Sequence, residues 1–472
     1  MLKAGAAKTR ITPPAGIPFL GHGARVSQGI HDDLWARSLV LEDDGEKVAI
    51  IALDLCWPLP KNDYLKVRRE VESRTDIKGG NILVSATHSH SGPTFSATTE
   101  DYPMPLKRRR ELIDPWVESL PRRISESVVK ANSNLVEAKV SFGKTLMNGI
   151  CYNRRIRIPD GVITHTGSIE TLEGFVREFY LRLGASPEEA EKIGLRLPDG
   201  PIDPEVAVLR VDDSEKGKPL AVLVNYACHA VASFGPLISA GYPGYTSYFV
   251  EQATGAVCLF TSGCGGDVRT YHRRETSELK EAYRIGLVLS TAVLKAMKEA
   301  QPIENPRVRV ASKTLQLDWR EYPDLSKIGE VIEEKRRLFD KAKAEGRIRD
   351  AKKIYDELRV LNAANGPLLR EILAEKERME KIPVELQAIG IGDVVLVTFP
   401  HEVSVEIGLT IKRRAWTDKV IPITLANGIW MYLIMRRHYE EGGYENAYCI
   451  VAPGTAELEI EASLQLIESL KM

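Results

Sequence analysis

The sequence lacks the features that mark several large classes of protein. None of its apolar runs approaches the roughly 18 residues of a transmembrane helix, and residues 1–6 lack the apolar stretch of a secretory signal. The six cysteines show no CxxC spacing, which argues against a zinc knuckle and against a disulfide framework. These absences predict a cytoplasmic protein with no stable membrane insertion.

An excess of charge of either sign is also absent. The 64 Lys and Arg residues nearly cancel the 65 Asp and Glu residues, and the net charge is −1. Proteins that bind nucleic acid normally carry a basic surface, so the sequence predicts no nucleic-acid partner. We expect a small-molecule partner instead.

What the sequence does have is the pattern of an α/β protein. Apolar, β-branched runs at 47–53 and 81–86 predict buried strands, and the charged stretch 60–73 between them predicts a helix. Strand, helix and strand at this spacing indicate a parallel βαβ unit, and the pattern recurs later in the chain. The predicted fold class is therefore α/β, with mixed or parallel sheets flanked by helices.

Two stretches depart from this pattern. Residues 161–204 form an excursion with a helix predicted to begin at Ser186, where an N-cap Ser precedes Pro and two acids. Residues 324–382 are rich in Lys, Arg, Glu, Ala and Leu, and they predict a helical hairpin arm inserted into the domain. The arm is compatible with a homo-oligomer contact, a lid or a merely protruding hairpin. Apart from these insertions, 1–472 is predicted to be a single domain, with a division into two lobes left open.

Candidate metal ligands follow three of the predicted strands. His88 and His90 end one strand, His229 follows another, and Glu402 follows a third; in open α/β sheets, ligands collect beyond such carboxyl ends. His88 and His90 point to the same side of an extended chain, so they provide either two ligands or one ligand and one acid/base. Taken singly, each residue is equally compatible with a hydrogen-bonded core position.

Several segments resemble a known family in both sequence and order. The chain resembles the catalytic domain of the neutral, non-lysosomal ceramidases and of their bacterial and archaeal relatives. The segments that carry the resemblance are 4–14, 29–37, 87–93, 153–154, 199–204, 225–229, 265–268, 399–402, Tyr432 and 444–445.

The resemblance implies a zinc-dependent hydrolase that cleaves a carbon–nitrogen (amide) bond with zinc-activated water. Two His and a carboxylate are usual ligands of catalytic zinc, whereas a Tyr ligand is unusual. The implied zinc ligands are His88, His229, Glu402 and Tyr432. The implied catalytic residues around the scissile group are His90, Arg154 and Tyr444.

The sequence also departs from the family pattern. Arg269 stands where the ceramidases carry a catalytic-centre Ser after Gly-Asp-Val, which predicts that Arg269, with Asp267, contacts an anionic or carbonyl-rich substrate group. His401 replaces the glycine that usually precedes the zinc Glu, and its role is left open, as is a second metal at Asp54 or Asp267. The chain ends near the end of the family's catalytic domain, so we expect no C-terminal immunoglobulin-like domain.

These departures favour a small N-acyl or cyclic amide as the substrate. The alternatives are a true ceramidase, a metal-dependent ester or lactone hydrolase, and a non-catalytic metal-binding scaffold. The scaffold should lack stoichiometric zinc, whereas amide and ester preference can be separated only by a panel of substrates.

Overall fold

The fold is seen in a computed structural model of the chain. It describes residues 1–19, 25–59, 63–95, 106–167, 171–194, 196, 198–232, 235–271 and 278–471. None of the helices in these ranges is both long and apolar enough to cross a bilayer.

Strands and helices alternate along most of the chain. The strands are β1 (Lys3–Arg10), β2 (Gly29–Ile30), β3 (Trp35–Asp43), β4 (Glu46–Leu53), β5 (Ile82–Ala86), β6 (Val136–Leu146), β7 (Cys151–Asn153), β8 (Arg155–Ile158), β9 (Gly161–Thr164), β10 (Glu205–Asp213), β11 (Pro219–Tyr226), β12 (Leu237–Ile238), β13 (Val257–Ser262), β14 (Val268–Thr270), β15 (Gln301–Pro302), β16 (Val308–Leu317), β17 (Ile382–Ile391), β18 (Val394–Phe399), β19 (Glu402–Val403), β20 (Val420–Thr424) and β21 (Tyr432–Leu433). The helices are α1 (Tyr64–Arg74), α2 (Leu106–Ser133), α3 (Leu172–Leu183), α4 (Pro187–Ile193), α5 (Gly241–Thr254), α6 (Glu278–Glu299), α7 (Ile328–Ala344), α8 (Ile348–Asn365), α9 (Pro367–Leu373), α10 (Val405–Arg414), α11 (Arg436–Glu441), α12 (Tyr444–Ala447) and α13 (Thr455–Ser469).

Two sheets form the centre of the molecule. The larger has nine strands in the order β13-β11-β10-β6-β1-β3-β4-β5, with β15 paired to β6. Its two ends are parallel pairs, β11 with β13 and β4 with β5, while the pairs between them are antiparallel. The smaller sheet has the order β16-β17-β18-β20, and β18 with β20 is its parallel pair.

The two sheets pack against each other and helices cover their outer faces. Leu209 and Leu259 of the large sheet share one buried apolar cluster with Leu396 and Ile421 of the small sheet. Helices α1 and α2 cover one half of the large sheet, and α5 and α6 cover the other. Helix α13 packs on the small sheet. The predicted fold class, α/β with mixed sheets flanked by helices, is confirmed.

The inserted segments are helical. In the region predicted as an excursion, β9 is followed by α3 and α4, and Ser186 is the N-cap of α4 as predicted, in a capping box with Glu189. In the arm, α7 and α8 form a hairpin that turns at Gly346, where φ is +66° and an L side chain would be strained. A further helix, α9, follows. Buried Ile332, Leu361 and Leu369 of these helices join the core cluster of the small sheet.

Candidate active site

The three predicted ligand segments meet where the two sheets come together. His88 follows β5, His229 follows β11, and Glu402 lies in β19 just after β18. The side chain of Asn427, shortly after β20, accepts a hydrogen bond from the backbone N–H of Val84 at 3.0 Å. This contact joins the edge of the large sheet to the small sheet, so the ends of strands from both sheets face one point.

Two imidazoles share one carboxylate at this point. Oε2 of Glu402 lies 3.4 Å from Nε2 of His88 and 3.2 Å from Nε2 of His229. All three side chains are buried, and their ligand atoms lie within 4.8 Å of one another. Trp57 donates a hydrogen bond to the other carboxylate oxygen of Glu402 at 3.4 Å.

The backbone fixes the orientation of both imidazoles. Nδ1 of His88 lies 3.0 Å from the carbonyl oxygen of Cys56, and Nδ1 of His229 lies 2.7 Å from that of Gly265. A carbonyl oxygen only accepts, so each Nδ1 carries the proton. The Nε2 atoms then face Glu402, as in metal sites in which a backbone carbonyl orients a histidine ligand.

The local backbone is unusual at two places in this site. His88 has φ +63°, in the left-handed region that non-glycine residues seldom adopt and that is found at functional sites. A Cβ on Gly266 would lie 2.9 Å from the carbonyl oxygens of Glu402 and Val403. Only glycine therefore lets the Gly-rich turn, residues 263–266, approach the Glu402 segment this closely.

The pKa shifts of the three side chains indicate that the cluster can hold a cation. Burial opposes ionisation of Glu402, but the two imidazoles outweigh it and hold the pKa of Glu402 well below its usual range. Burial likewise lowers the pKa of His88, but Glu402 outweighs it and leaves that pKa well above normal. Burial and the nearby Arg154 lower the pKa of His229 to about 4. The cluster therefore stabilises positive charge between these side chains, as a metal site must.

Tyr432 completes the group from the neighbouring strand. It is paired with Glu402 between β19 and β21, and its hydroxyl oxygen lies 3.2 Å from Nε2 of His229. Nη2 of Arg154 donates to the same oxygen at 3.1 Å. Burial and the Glu402 carboxylate raise the pKa of Tyr432 well above its usual value. Ionisation of this phenol therefore requires a strong local positive charge.

Arg154 connects the cluster to Tyr444. Its Nε donates to Glu445 at 2.7 Å, and its guanidinium carbon lies 5.2 Å from the ring centroid of Tyr444. The rings of Tyr432 and Tyr444 are 5.9 Å apart. Burial raises the pKa of Tyr444, so this phenol keeps its proton and can donate it in a hydrogen bond.

His90 lies beside His88. Its Nε2 is 3.1 Å from Nε2 of His88, and it is less buried than the three ligand candidates. Cys56, His88 and His90 form a second group of side chains with metal-ligand spacing. The geometry thus brings His90 to the cluster and leaves both of its predicted roles, ligand or acid/base, compatible with the site.

The predicted substrate-binding pair lies in and beside β14. Asp267 is buried, and its two oxygens accept from the N–H of Val405 at 2.8 Å and from the side chain of Asn153 at 3.1 Å. Arg269 is also buried, paired in register with Tyr152 between β14 and β7. Burial and the nearby Arg154 lower the pKa of Arg269 to about 10.

Two residues that the sequence left open lie in other contacts. Asp54 is fully buried and pairs with Arg37 at 2.6 Å. Nε2 of His401 lies 3.0 Å from Glu459 of α13, and both side chains are fully buried. Within the ranges that the structure describes, neither Asp54 nor Asp267 is part of a group of side chains with metal-ligand spacing.

Sequence reasoning gave no role to three residues of this site: Cys56, Trp57 and Glu445. The position of Cys56 could have been inferred from the sequence. It follows β4, which is parallel to the strand that leads to His88. Glu445 lies inside one of the segments that carried the family resemblance. Trp57 gave no signal.

Comparisons with known proteins show similarity in sequence and in fold. Residues 2–157 match the family model described as neutral/alkaline non-lysosomal ceramidase, N-terminal. The resemblance to the neutral ceramidases is confirmed. Two neutral ceramidases of Dictyostelium discoideum, B and A, are 24% identical over 233 residues and 23% identical over 247 residues, about half of this chain. The matches span only 28% and 30% of those ceramidases.

Solved ceramidase structures have the same fold. The crystal structure of the neutral ceramidase from Pseudomonas aeruginosa aligns with a TM-score of 0.68 and 18% identity, over 100% of this chain and 75% of that one. A structure described as ceramidase complexed with C2 aligns with a TM-score of 0.69 and 17% identity, over 99% of this chain and 75% of that one. At this identity, the likeness establishes the fold.

Proposed function

We propose that this protein is a zinc-dependent hydrolase that cleaves an amide bond in a small N-acyl or cyclic substrate. The observation that carries the proposal is the buried cluster of His88, His229 and Glu402, whose Nε2 and Oε2 atoms converge while backbone carbonyls fix both imidazoles. The names of the similar proteins support an amide as the bond that is cleaved.

The donor set fits zinc. Two imidazoles, deprotonated at the ligand nitrogen when a metal binds, and a carboxylate are a normal set for a catalytic zinc ion, and the tyrosine oxygen is the unusual member. The residues that would hold the ion are His88, His229, Glu402 and Tyr432. The chemistry that such an ion supplies is a water ionised at a pH of about 7 and a polarised substrate carbonyl.

The remaining residues take distinct roles in the proposal. Arg154 donates to the Tyr432 oxygen and stabilises its negative charge. Tyr444 keeps its proton and donates a hydrogen bond to the oxyanion that forms on the substrate carbonyl. His90 gives a proton to the leaving amine, since an imidazole titrates near neutral pH. Arg269 binds an anionic or carbonyl-rich part of the substrate, and Asp267 supports the backbone beneath it.

Ceramide itself is the second candidate, and the similar proteins favour it by name. Against it stands the buried cation Arg269 near Arg154, because a desolvated guanidinium is costly beside a lipid chain. Location in the cytoplasm and assembly through residues 324–382 stay predictions from the sequence.

A panel of matched substrates tests the proposed reaction. Purified protein is incubated with short N-acyl amides, the corresponding esters and a short-chain ceramide, and released amine or alcohol is measured. The Glu402→Gln variant supplies the background. Amine release that depends on Glu402 supports an amidase, while hydrolysis of the esters alone supports the esterase alternative. Absence of any hydrolysis that depends on Glu402 contradicts both.

A further inference from the structure

The helical arm forms one wall of a cavity beside the candidate active site. The cavity has a volume of about 440 Å³ and lies where α8 turns into α9. Arg359, Asn362 and Leu368 line it from the arm, and Tyr444 and Tyr448 line it from the opposite side. Its size falls within the roughly 300–1,000 Å³ of small-molecule sites.

Tyr444 connects this cavity to the metal cluster. Its ring lies 5.9 Å from that of Tyr432 on one side, and 5.7 Å from the guanidinium carbon of Arg359 on the other. Tyr444 is partly exposed and lines the cavity. A substrate whose carbonyl reaches Tyr444 can therefore extend past the ring into the cavity.

Arg359 differs from the neighbouring cations of the arm. Lys335 pairs with Glu357, and Lys352 pairs with Asp356. Arg359 instead lies over the rings of Tyr355 and Tyr444, and among the described residues its charge acts on Asp356, the partner of Lys352, without an ion pair within 4 Å. A half-buried guanidinium in this position is available for a charge-assisted, bidentate pair with an oxyanion.

The rest of the cavity wall is mostly apolar. It includes Ala363, Pro367, Leu368 and Ala447 together with the two tyrosine rings. An apolar pocket with one fixed cation is suited to a short hydrocarbon segment that carries a single negative charge.

We propose that this cavity binds an oxyanion-bearing end of the substrate, a carboxylate or phosphate on a short apolar chain separate from the group assigned to Arg269, and that Arg359 is its partner. Only the statement that the bound anion belongs to the substrate rests on the proposed function. Binding of an anion in the cavity can be measured without turnover. It also gives the arm a role as part of the substrate site.

Isothermal titration calorimetry with three probes that lack an amide bond tests the assignment. The probes are octanoate, octyl phosphate and octanol, and the full-length protein is used as purified. We expect at least one of the two anions to bind more tightly than octanol, and Arg359→Gln to weaken that binding about tenfold or more, a typical loss for a charge-assisted hydrogen bond. The anion that loses more affinity identifies the chemistry that is recognised.

Two further variants make the test specific. Arg370→Gln is the matched control, because Arg370 is an exposed arginine on α9 outside the cavity, bonded to Asn365 at 2.8 Å. It should leave anion binding unchanged, and Arg359→Lys should retain part of the affinity. The proposal is overturned if neither anion binds more tightly than octanol, or if Arg359→Gln binds the anions as wild type does. It is also overturned if Arg370→Gln causes the same loss. None of these outcomes depends on amide hydrolysis, so the proposed reaction stands or fails separately.

Discussion

At the scale of single residues, the two histidines of the HxH pair differ in what holds them. His88 is fixed by the Cys56 carbonyl and contacts Glu402, whereas His90 lies 3.1 Å from His88 and its ring lies 5.7 Å from that of His229. A histidine that binds a metal usually donates its other ring N–H to a carbonyl or carboxylate, and this hydrogen bond orients the ligand nitrogen toward the metal. This difference supports the assignment of His88 to the metal and of His90 to proton transfer.

Substitution of these residues separates the two roles. His88→Ala or His229→Ala should lose metal and activity together, because each removes one of three converging ligand atoms. His90→Ala should keep stoichiometric metal and lose about 100-fold or more in kcat, as expected when a general acid is removed. Elemental analysis of each purified variant beside its turnover is the measurement. A His90→Ala protein that is purified without metal would show that His90 is a ligand.

A measurement can separate two roles of Arg269, substrate contact and structural support. Arg269 is buried beside Arg154, and its predicted role is to contact an anionic or carbonyl-rich part of the substrate. We therefore expect Arg269→Ala to raise KM for the best substrate about tenfold or more, with metal content unchanged. Arg269→Ser should not by itself create ceramide hydrolysis. A loss of thermal stability with unchanged KM would assign Arg269 a structural role.

At the scale of elements, the strands that end at the site could be predicted from the sequence. Strands β4 and β5 are apolar, β-branched runs, and the structure places them at the predicted positions. Helix α2 is harder to bound from the sequence, because it begins at Leu106 and contains Pro115 and Pro121. Buried Ile113 packs in the core and so extends the helix ahead of the proline.

Contacts between distant segments could not be predicted. The hydrogen bond from Trp57 to Glu402 and the pair of Arg154 with Glu445 each join residues that are hundreds of positions apart. No local period or spacing encodes such a contact. The cavity formed by α8, α9 and Tyr444 could not be predicted either. The composition of the arm indicates helices but not the surface against which they pack.

The contact between Asp267 and the start of helix α10 can be tested for its effect on the site. Asp267 accepts from the N–H of Val405 at the start of α10, three residues after Glu402. We expect Asp267→Ala to lower the free energy of unfolding by about 1–3 kcal/mol, since it leaves a buried donor unsatisfied. Metal affinity should fall as well, because this contact positions the segment that carries Glu402. Chemical denaturation and metal titration are the measurements, with Asp267→Asn as the conservative control. An increase in KM with no loss of stability would instead support direct substrate contact.

At the scale of the whole molecule, the proposed metal ligands lie on an extensive apolar frame. Each proposed ligand follows or lies on a different strand, and the strands are held by extended apolar clusters on both faces of the two sheets. In small zinc domains, by contrast, metal binding supplies most of the folding free energy. A chain of 472 residues buries a large apolar core without such help.

Removal of the metal should therefore separate activity from folding. We expect about one zinc ion per chain in the purified protein, and complete loss of hydrolysis after dialysis against a chelator. The far-ultraviolet circular dichroism spectrum should stay unchanged, because the helices and sheets do not depend on the ion. Thermal unfolding should shift only by the binding free energy that the ion contributes to the folded state. Addition of zinc should then restore activity without a refolding step. A chelated protein that unfolds at room temperature would show that the ion is structural, and an active protein that contains no transition metal would contradict the assignment of the cluster as a catalytic metal site.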